Sequence, residues 1–189
     1  MTTLADCVTL TLPRVHDKRG DLSFIEGGHH IPFDIRRIYY VYNVAPGASR
    51  GGHAHYSLHQ YAIAIHGSFD MVMDDGRQKM RMHLNDPHQA LYIPPMIWHD
   101  LDNFSPGAVC MVLASDIYEE ADYMRVYDDF LAEFARREAA WRQEWTEEIV
   151  LQHNTHPVTA HPRTGTPIET AVLTDASLNC CLLYTSPSP

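Results

Sequence analysis

From Leu10 to Ala114 the chain alternates short apolar stretches, rich in Val, Ile, Tyr, Phe and Met, with turn chemistry every eight to twelve residues. That rhythm predicts an antiparallel all-β domain, either sandwich or barrel. The breaks fall at Lys18-Arg19-Gly20, Ala45-Pro46-Gly47, His66-Gly67, Asp74-Asp75-Gly76, Asn85-Asp86-Pro87, Pro94-Pro95 and Ser105-Pro106-Gly107, where glycine and proline set backbone angles that strands do not use. Strand alternation puts Arg37, Tyr39, Val41 and Asn43 on one face and Ile38, Tyr40 and Tyr42 on the other. Phe69 to Met73, a turn at Asp74-Asp75-Gly76, and Lys79 to Leu84 predict a hairpin. Cys110 to Ala114 is wholly apolar and reads as a buried closing strand.

The period then changes. Asp116 followed by Glu119 has the spacing of a helix-capping pair, and Tyr123, Val126, Tyr127, Phe130, Leu131 and Phe134 recur at helical intervals. One amphipathic helix is expected from about 117 to 148. A domain is therefore expected over 1–135, with a charged helical extension over 136–152. Residues 153–189 shift to Thr, Pro, His and Ala without periodicity and predict no packed structure. The last of them, NCCLLYTSPSP, match nothing before them and read as a non-native terminus. No internal repeat appears, and in particular no hexapeptide pattern of a parallel β-helix.

A chain of 189 residues suits one domain with appendages. A formal net charge of -10 argues against a nucleic-acid surface, which needs clustered Lys and Arg. The start lacks a basic, apolar leader, and no apolar run reaches membrane length, so a cytoplasmic protein without membrane contact is expected. Cys7, Cys110, Cys180 and Cys181 have no metal or redox spacing and read as reduced thiols.

The stretch SRGGHAHYSLHQ, residues 49–60, carries the chemistry. On a strand, His53 and His55 point to the same side, about 7 Å apart at their origins. They can act as an acid/base pair on one small substrate or ligate a divalent metal. Alone, a His-x-His in a chain with 13 histidines is more often structural than catalytic. His29-His30, His66, His83, His88, His153, His156 and His161 are assigned to turns, solvent or the tail, and the Met71, Met73, Met80, Met82 stripe to core packing.

The wider spacing is more specific. Gly47, His53, His55, Gln60 and Gly67 resemble the first signature of the cupin superfamily, and Pro95, His99 and Asn103 resemble the second. In metal-binding cupins the corresponding cage would be His53, His55, Gln60 and His99, but a glutamate normally stands at position 60. A neutral amide cannot offset a cation's charge, so the change lowers divalent affinity. His59 is an alternative ligand, although alternation lets only one of His59 and Gln60 face inward.

RGDLSFIE (19–26), IPFDIRRIYYVYNV (31–44), RGGHAH (50–55), LYIPPMIWH (91–99), FSPGAV (104–109) and VLASDIYEEADYMRVYDDF (112–130) together resemble the sugar 3,4-ketoisomerases acting on dTDP-4-keto-6-deoxyglucose. The resemblance implies a small antiparallel cupin (jelly-roll-like) β-barrel with a C-terminal α-helix. It also implies a homodimer with exchanged N-terminal strands, a dTDP-linked keto-deoxyhexose as ligand, and no metal or organic cofactor. It makes His55 the principal acid/base and His53 its partner. Tyr39 is either a third proton-handling group or a wall residue. Arg19, Arg37 and Arg50 are expected at phosphates and sugar, and Gln60, Trp98 and His99 at the barrel mouth. The rival readings are a metal-dependent cupin oxygenase or isomerase and a non-catalytic sugar-nucleotide-binding cupin domain.

Overall fold

The computed structural model describes residues 1–155, with side chains as far as 145. The chain divides into two units, Met1–Trp141 and Arg142–Pro189. The first holds twelve strands: β1 (Thr9–Thr11), β2 (Arg14–Asp17), β3 (Gly20–Ser23), β4 (Arg37–Val41), β5 (Arg50–His55), β6 (Gln60–His66), β7 (Phe69–Asp74), β8 (Lys79–Leu84), β9 (Gln89–Ile93), β10 (Trp98–Asp102), β11 (Val109–Ala114) and β12 (Tyr123–Met124). One sheet has the order β1-β9-β6-β11-β4 and the other β12-β5-β10-β7-β8, with β2 and β3 forming a separate hairpin. Every pairing between these strands is antiparallel.

This is the antiparallel jelly-roll expected from the sequence, with its wall made of two sheets rather than one continuous barrel. The core lies between them and contains Phe69, Met71, Met73, Leu91, Ile93, Ile97, Cys110 and Val112. Its composition follows from strand position. Central strands are covered on both faces, so β6 and β7 are buried along most of their length, whereas the edge strand β4 alternates half-buried Arg37, Tyr39 and Val41 with exposed Ile38 and Tyr40. The Asp74-Asp75-Gly76 hairpin forms as read, with Asp75 N–H donating to the Gln78 carbonyl at 3.2 Å. The methionine stripe splits as packing residues do: Met71 and Met73 lie inside, and Met80 and Met82 pack partly buried against them.

The helical reading of 117–126 is corrected. Helix α1 begins at Tyr127 and runs to Thr155, while Glu120–Asp122 makes a single 3-10 turn and Tyr123–Met124 joins the sheet beside β5. Asp116 accepts from the next residue, Ile117, and Glu119 caps only the short turn. Strand pairing buries Met124 against Ala54 and Phe130, a gain that a continuous helix from residue 117 would forfeit. From Tyr127 the periodic reading holds. Tyr127, Phe130, Leu131 and Phe134 form one apolar stripe that packs on Ala54, Met96, Trp98 and Met124, and Asp128 and Asp129 favour the first turn electrostatically.

Of the second unit, the described part is the continuation of α1 to Thr155. The helix thus runs past both its expected end near 148 and the 152 boundary of the charged extension, and the remainder of the segment read as unstructured lies outside the described residues. No described helix is long and apolar enough to cross a membrane.

Phe130 is fully buried at the centre of the helix contact. Phe130→Ala is expected to lower unfolding stability by about 3–5 kcal/mol. A denaturant midpoint unchanged from that of the parent protein would contradict this packing.

Candidate active site

The two glycines before His53 explain how the histidines meet. β5 pairs with β10 so that His53 lies opposite His99, and then Gly51 opposite Asp100, leaving Gly52 as an extra residue in a bulge. Gly51 has φ +93°, and a Cβ there would stand 2.8 Å from the His99 carbonyl oxygen. Only glycine permits both that backbone and that approach. The bulge brings three imidazoles to one place: ring centroids are 4.6 Å apart for His53 and His99, 5.0 Å for His53 and His55, and 6.1 Å for His55 and His99. His53 and His99 line a cavity of about 50 Å³ between the sheets together with Tyr39 of β4 and Gln60 of β6, and His55 adjoins it through its contact with Gln60.

His55 is held at both ends. Its Nδ1 lies 2.9 Å from Asp122 Oδ2, and its Nε2 lies 3.1 Å from the Gln60 amide nitrogen, which also donates to the Tyr39 hydroxyl at 3.2 Å. A carboxylate beside Nδ1 and an amide donor beside Nε2 specify the tautomer with its proton on Nδ1. The Tyr123 ring covers His55 at 4.2 Å and His53 at 5.1 Å. His53 differs: both ring nitrogens are out of water without a hydrogen-bond partner, and so are Nε and Nη2 of Arg37. The Arg37 guanidinium lies over Tyr39 at 5.3 Å and Tyr118 at 5.6 Å. Buried polar atoms left unpaired are costly, and a polar ligand removes that cost.

Burial shapes the electrostatics. Desolvation, reinforced by His53, lowers the pKa of His55 to about 4, while Asp122 pulls it back up. Desolvation takes His99 to about 3 and lowers His53 as well, the Gly51 backbone opposing the shift at His53. All three rings are therefore neutral near pH 7. The Tyr39 phenol is pushed up by burial and remains protonated, able to donate a hydrogen bond.

The ligand atoms of His53, His55 and His99 lie within 4.8 Å of one another, so the count suits a metal. The donors do not. Position 60 supplies no carboxylate, and its amide N–H groups occupy the His55 Nε2 lone pair and the Tyr39 oxygen. A cation would meet a neutral cage with one histidine already hydrogen-bonded.

Residues 5–135 match the family described as "FdtA: WxcM-like, C-terminal". The chain belongs to that family. Among its relatives, the TDP-4-oxo-6-deoxy-alpha-D-glucose-3,4-oxoisomerase of Aneurinibacillus thermoaerophilus is 40% identical over 121 residues, covering 64% of this chain and 87% of that protein. Two solved 3,4-ketoisomerases of similar fold lie close to this WxcM-like chain. The enzyme of Helicobacter canadensis is 42% identical with a TM-score of 0.67, covering 69% of this chain and 98% of its own. A mutant of QdtA from Thermoanaerobacterium thermosaccharolyticum, in complex with TDP-4-keto-6-deoxyglucose, is 38% identical with a TM-score of 0.70, covering 71% and 98%.

The structure brings His53, His55, His99, Gln60, Tyr39 and Arg37 together, and Arg50 opens β5 as an exposed residue close by in the chain. His59 is on the other face of the sheet, paired with the Tyr92 hydroxyl at 2.5 Å. Two expectations are corrected. Trp98 alternates away from His99 along β10, donates to Asp100 at 3.1 Å and packs on Tyr127 and Phe130 under α1, so it anchors the helix rather than lining the mouth. Arg19 sits at the tip of the β2–β3 hairpin, 83% exposed and paired with Asp17 at 2.5 Å, not in the cavity of its own chain. Asp122 was missed, because the periodicity around it reads as helix.

Because His55 and His99 are neutral when folded and titrate near 6.5 when unfolded, the unfolded chain binds more protons below that pH. Their contribution to stability is complete above about pH 6.5 and is lost as pH falls toward about 4. His99→Asn is expected to flatten the fall in denaturant midpoint across this window. An equally steep fall in the variant would refute the assignment.

Proposed function

We propose that this chain is a sugar-nucleotide 3,4-ketoisomerase acting on dTDP-4-keto-6-deoxyglucose in deoxysugar assembly. The observation that carries the reading is a neutral, doubly hydrogen-bonded His55 beside the unpartnered nitrogens of His53 and Arg37. Converting a 4-ketone into a 3-ketone moves one proton from C3 to C4 and one from O3 to O4. The bond order rises at C3 and falls at C4, so no electron leaves the sugar and no redox partner is required.

The C3 hydrogen is acidic because the C4 carbonyl stabilises the enediolate left behind. His55 takes it on Nε2, the Gln60 amide that donates to that lone pair giving way to the sugar, and returns it to C4, as an imidazole can within one turnover. His53, with both nitrogens free to accept or donate, carries the oxygen proton, with the protonated Tyr39 hydroxyl supporting the developing oxyanion. Arg37 supplies unsatisfied guanidinium donors for the diphosphate or sugar oxygens in an otherwise acidic protein. Gln60 and His99 line the floor of the pocket and orient the rings above it.

The partner is a second copy. Every residue of β2 and β3 is exposed, and an isolated two-stranded hairpin is marginal in water. Beside it runs an apolar groove of about 400 Å³ lined by Phe24, Ile25, Ile35, Ile38, Ile65 and Met111. Exchange of the N-terminal strands covers both surfaces and carries Arg19 onto the partner subunit.

Incubation of chelator-treated enzyme with dTDP-4-keto-6-deoxyglucose in heavy water is expected to give the 3-keto sugar by NMR. His55→Asn is expected to lower kcat by a factor on the order of 10³ or more. No turnover after chelation, with activity restored by a divalent ion, would favour the metal-dependent reading instead.

Sedimentation equilibrium is expected to give the mass of two chains, and Ile38→Glu in the groove to shift the protein toward one. A parent protein that sediments as a monomer at micromolar concentration would remove the exchange reading.

A further inference from the structure

Residues 115–126 form a strap beside β5, and its attachments converge on Asp122. The Asp122 carbonyl accepts from Tyr56 N–H at 3.0 Å. One carboxylate oxygen, Oδ1, accepts from Ser57 N–H at 2.8 Å and from Ser57 Oγ at 2.7 Å. The other, Oδ2, lies 2.9 Å from His55 Nδ1. The next residue, Tyr123, pairs with His55 across the strands and lays its ring over both catalytic imidazoles. Asp122 therefore cannot rotate without breaking bonds to a neighbouring loop that has no part in chemistry.

We propose that Asp122 is the positioning residue of this site: it locks His55 in the tautomer whose Nε2 carries the lone pair, and so makes His55 rather than His53 the group that meets the carbon acid. The proposal rests on the ketoisomerase reading only for its consequence in rate; the tautomer stands on geometry alone. His53, with no side-chain partner on either nitrogen, suits the exchange of oxygen protons, where donor and acceptor roles alternate. When His55 takes the carbon proton it becomes an imidazolium, and the carboxylate stabilises that charge inside a site where water cannot. Asp122 is a positioning residue because it touches His55 and not the sugar.

The contact with Ser57 makes the amide variant unusually informative. A backbone N–H only donates, so in Asp122→Asn the amide oxygen must take the place of Oδ1, facing Ser57. The amide NH₂ then faces His55 Nδ1 and donates to it. With the Gln60 amide turned so that its oxygen faces Nε2 and accepts from it, His55 takes the opposite tautomer, with its proton on Nε2, and loses the lone pair there. The shape is kept while the chemistry is inverted.

The test uses the full chain with nitrogen-15-labelled histidine. Long-range proton–nitrogen NMR is expected to show His55 protonated on Nδ1 in the parent protein, on Nε2 in Asp122→Asn, and on Nδ1 again in Asp122→Glu and in Ser57→Ala, which retains the backbone donor. With dTDP-4-keto-6-deoxyglucose, Asp122→Asn is expected to lose a factor on the order of 10²–10⁴ in kcat with KM within a few-fold, and Asp122→Glu to recover part of it. The acid limb of the rate profile, set by deprotonation of His55, moves to lower pH in Asp122→Asn because a group that raises the His55 pKa has gone. A parent protein with His55 protonated on Nε2 overturns the proposal even if the variant does not fold. So does an unchanged tautomer or an unchanged kcat in a folded Asp122→Asn. Should the parent protein show the expected tautomer but no turnover, the ketoisomerase reading fails while the positioning geometry survives.

Discussion

The site depends on how closely β5 approaches β10 at Gly51. With the His99 carbonyl 2.8 Å from where a Cβ would stand, any other residue would push the strands apart. The bulge at Gly52 then resets the alternation, so that His53 faces His99 and His55 reaches the strap. Without that contact the three imidazoles are no longer neighbours, and Asp122 loses its partner. A local backbone constraint thus governs an arrangement drawn from strands in both sheets.

Function follows from how unequally the polar groups in this cavity are satisfied. His55 has a partner on each nitrogen, His99 is backed by the Ile97 carbonyl, and Gln60 bridges His55 and Tyr39. His53 and Arg37 have buried nitrogens with no partner. The satisfied groups make a rigid frame. The unsatisfied ones mark where a ligand's oxygens belong, since a fold tolerates such atoms chiefly where something else binds them.

Much of the fold was legible because its elements obey local rules. The hairpin around Asp74-Asp75-Gly76, the inward row Arg37, Tyr39, Val41 and the buried strand β11 follow from alternation and turn chemistry alone. The reading failed at 117–126, where Tyr123, Val126 and Tyr127 share the spacing of a helix although β12 ends before α1 begins. Spacing records which residues are apolar; it does not record that an edge of β5 is open to pairing. Trp98 failed for a related reason: its neighbour His99 faces the cavity, and alternation sends the indole to the helix side.

The sequence by itself determined the strand rhythm, the paired histidine motifs and the amide at position 60, since these are matters of residue type and short-range spacing. Only the tertiary structure decided which carboxylate serves which imidazole, because Asp122 and His55 are separated by 67 positions and meet through strand pairing. It also decided that His53 is left unpartnered and that Trp98 belongs to the helix. Those outcomes depend on which faces of distant segments enclose the same space, and periodicity along one segment carries no record of what lies across from it.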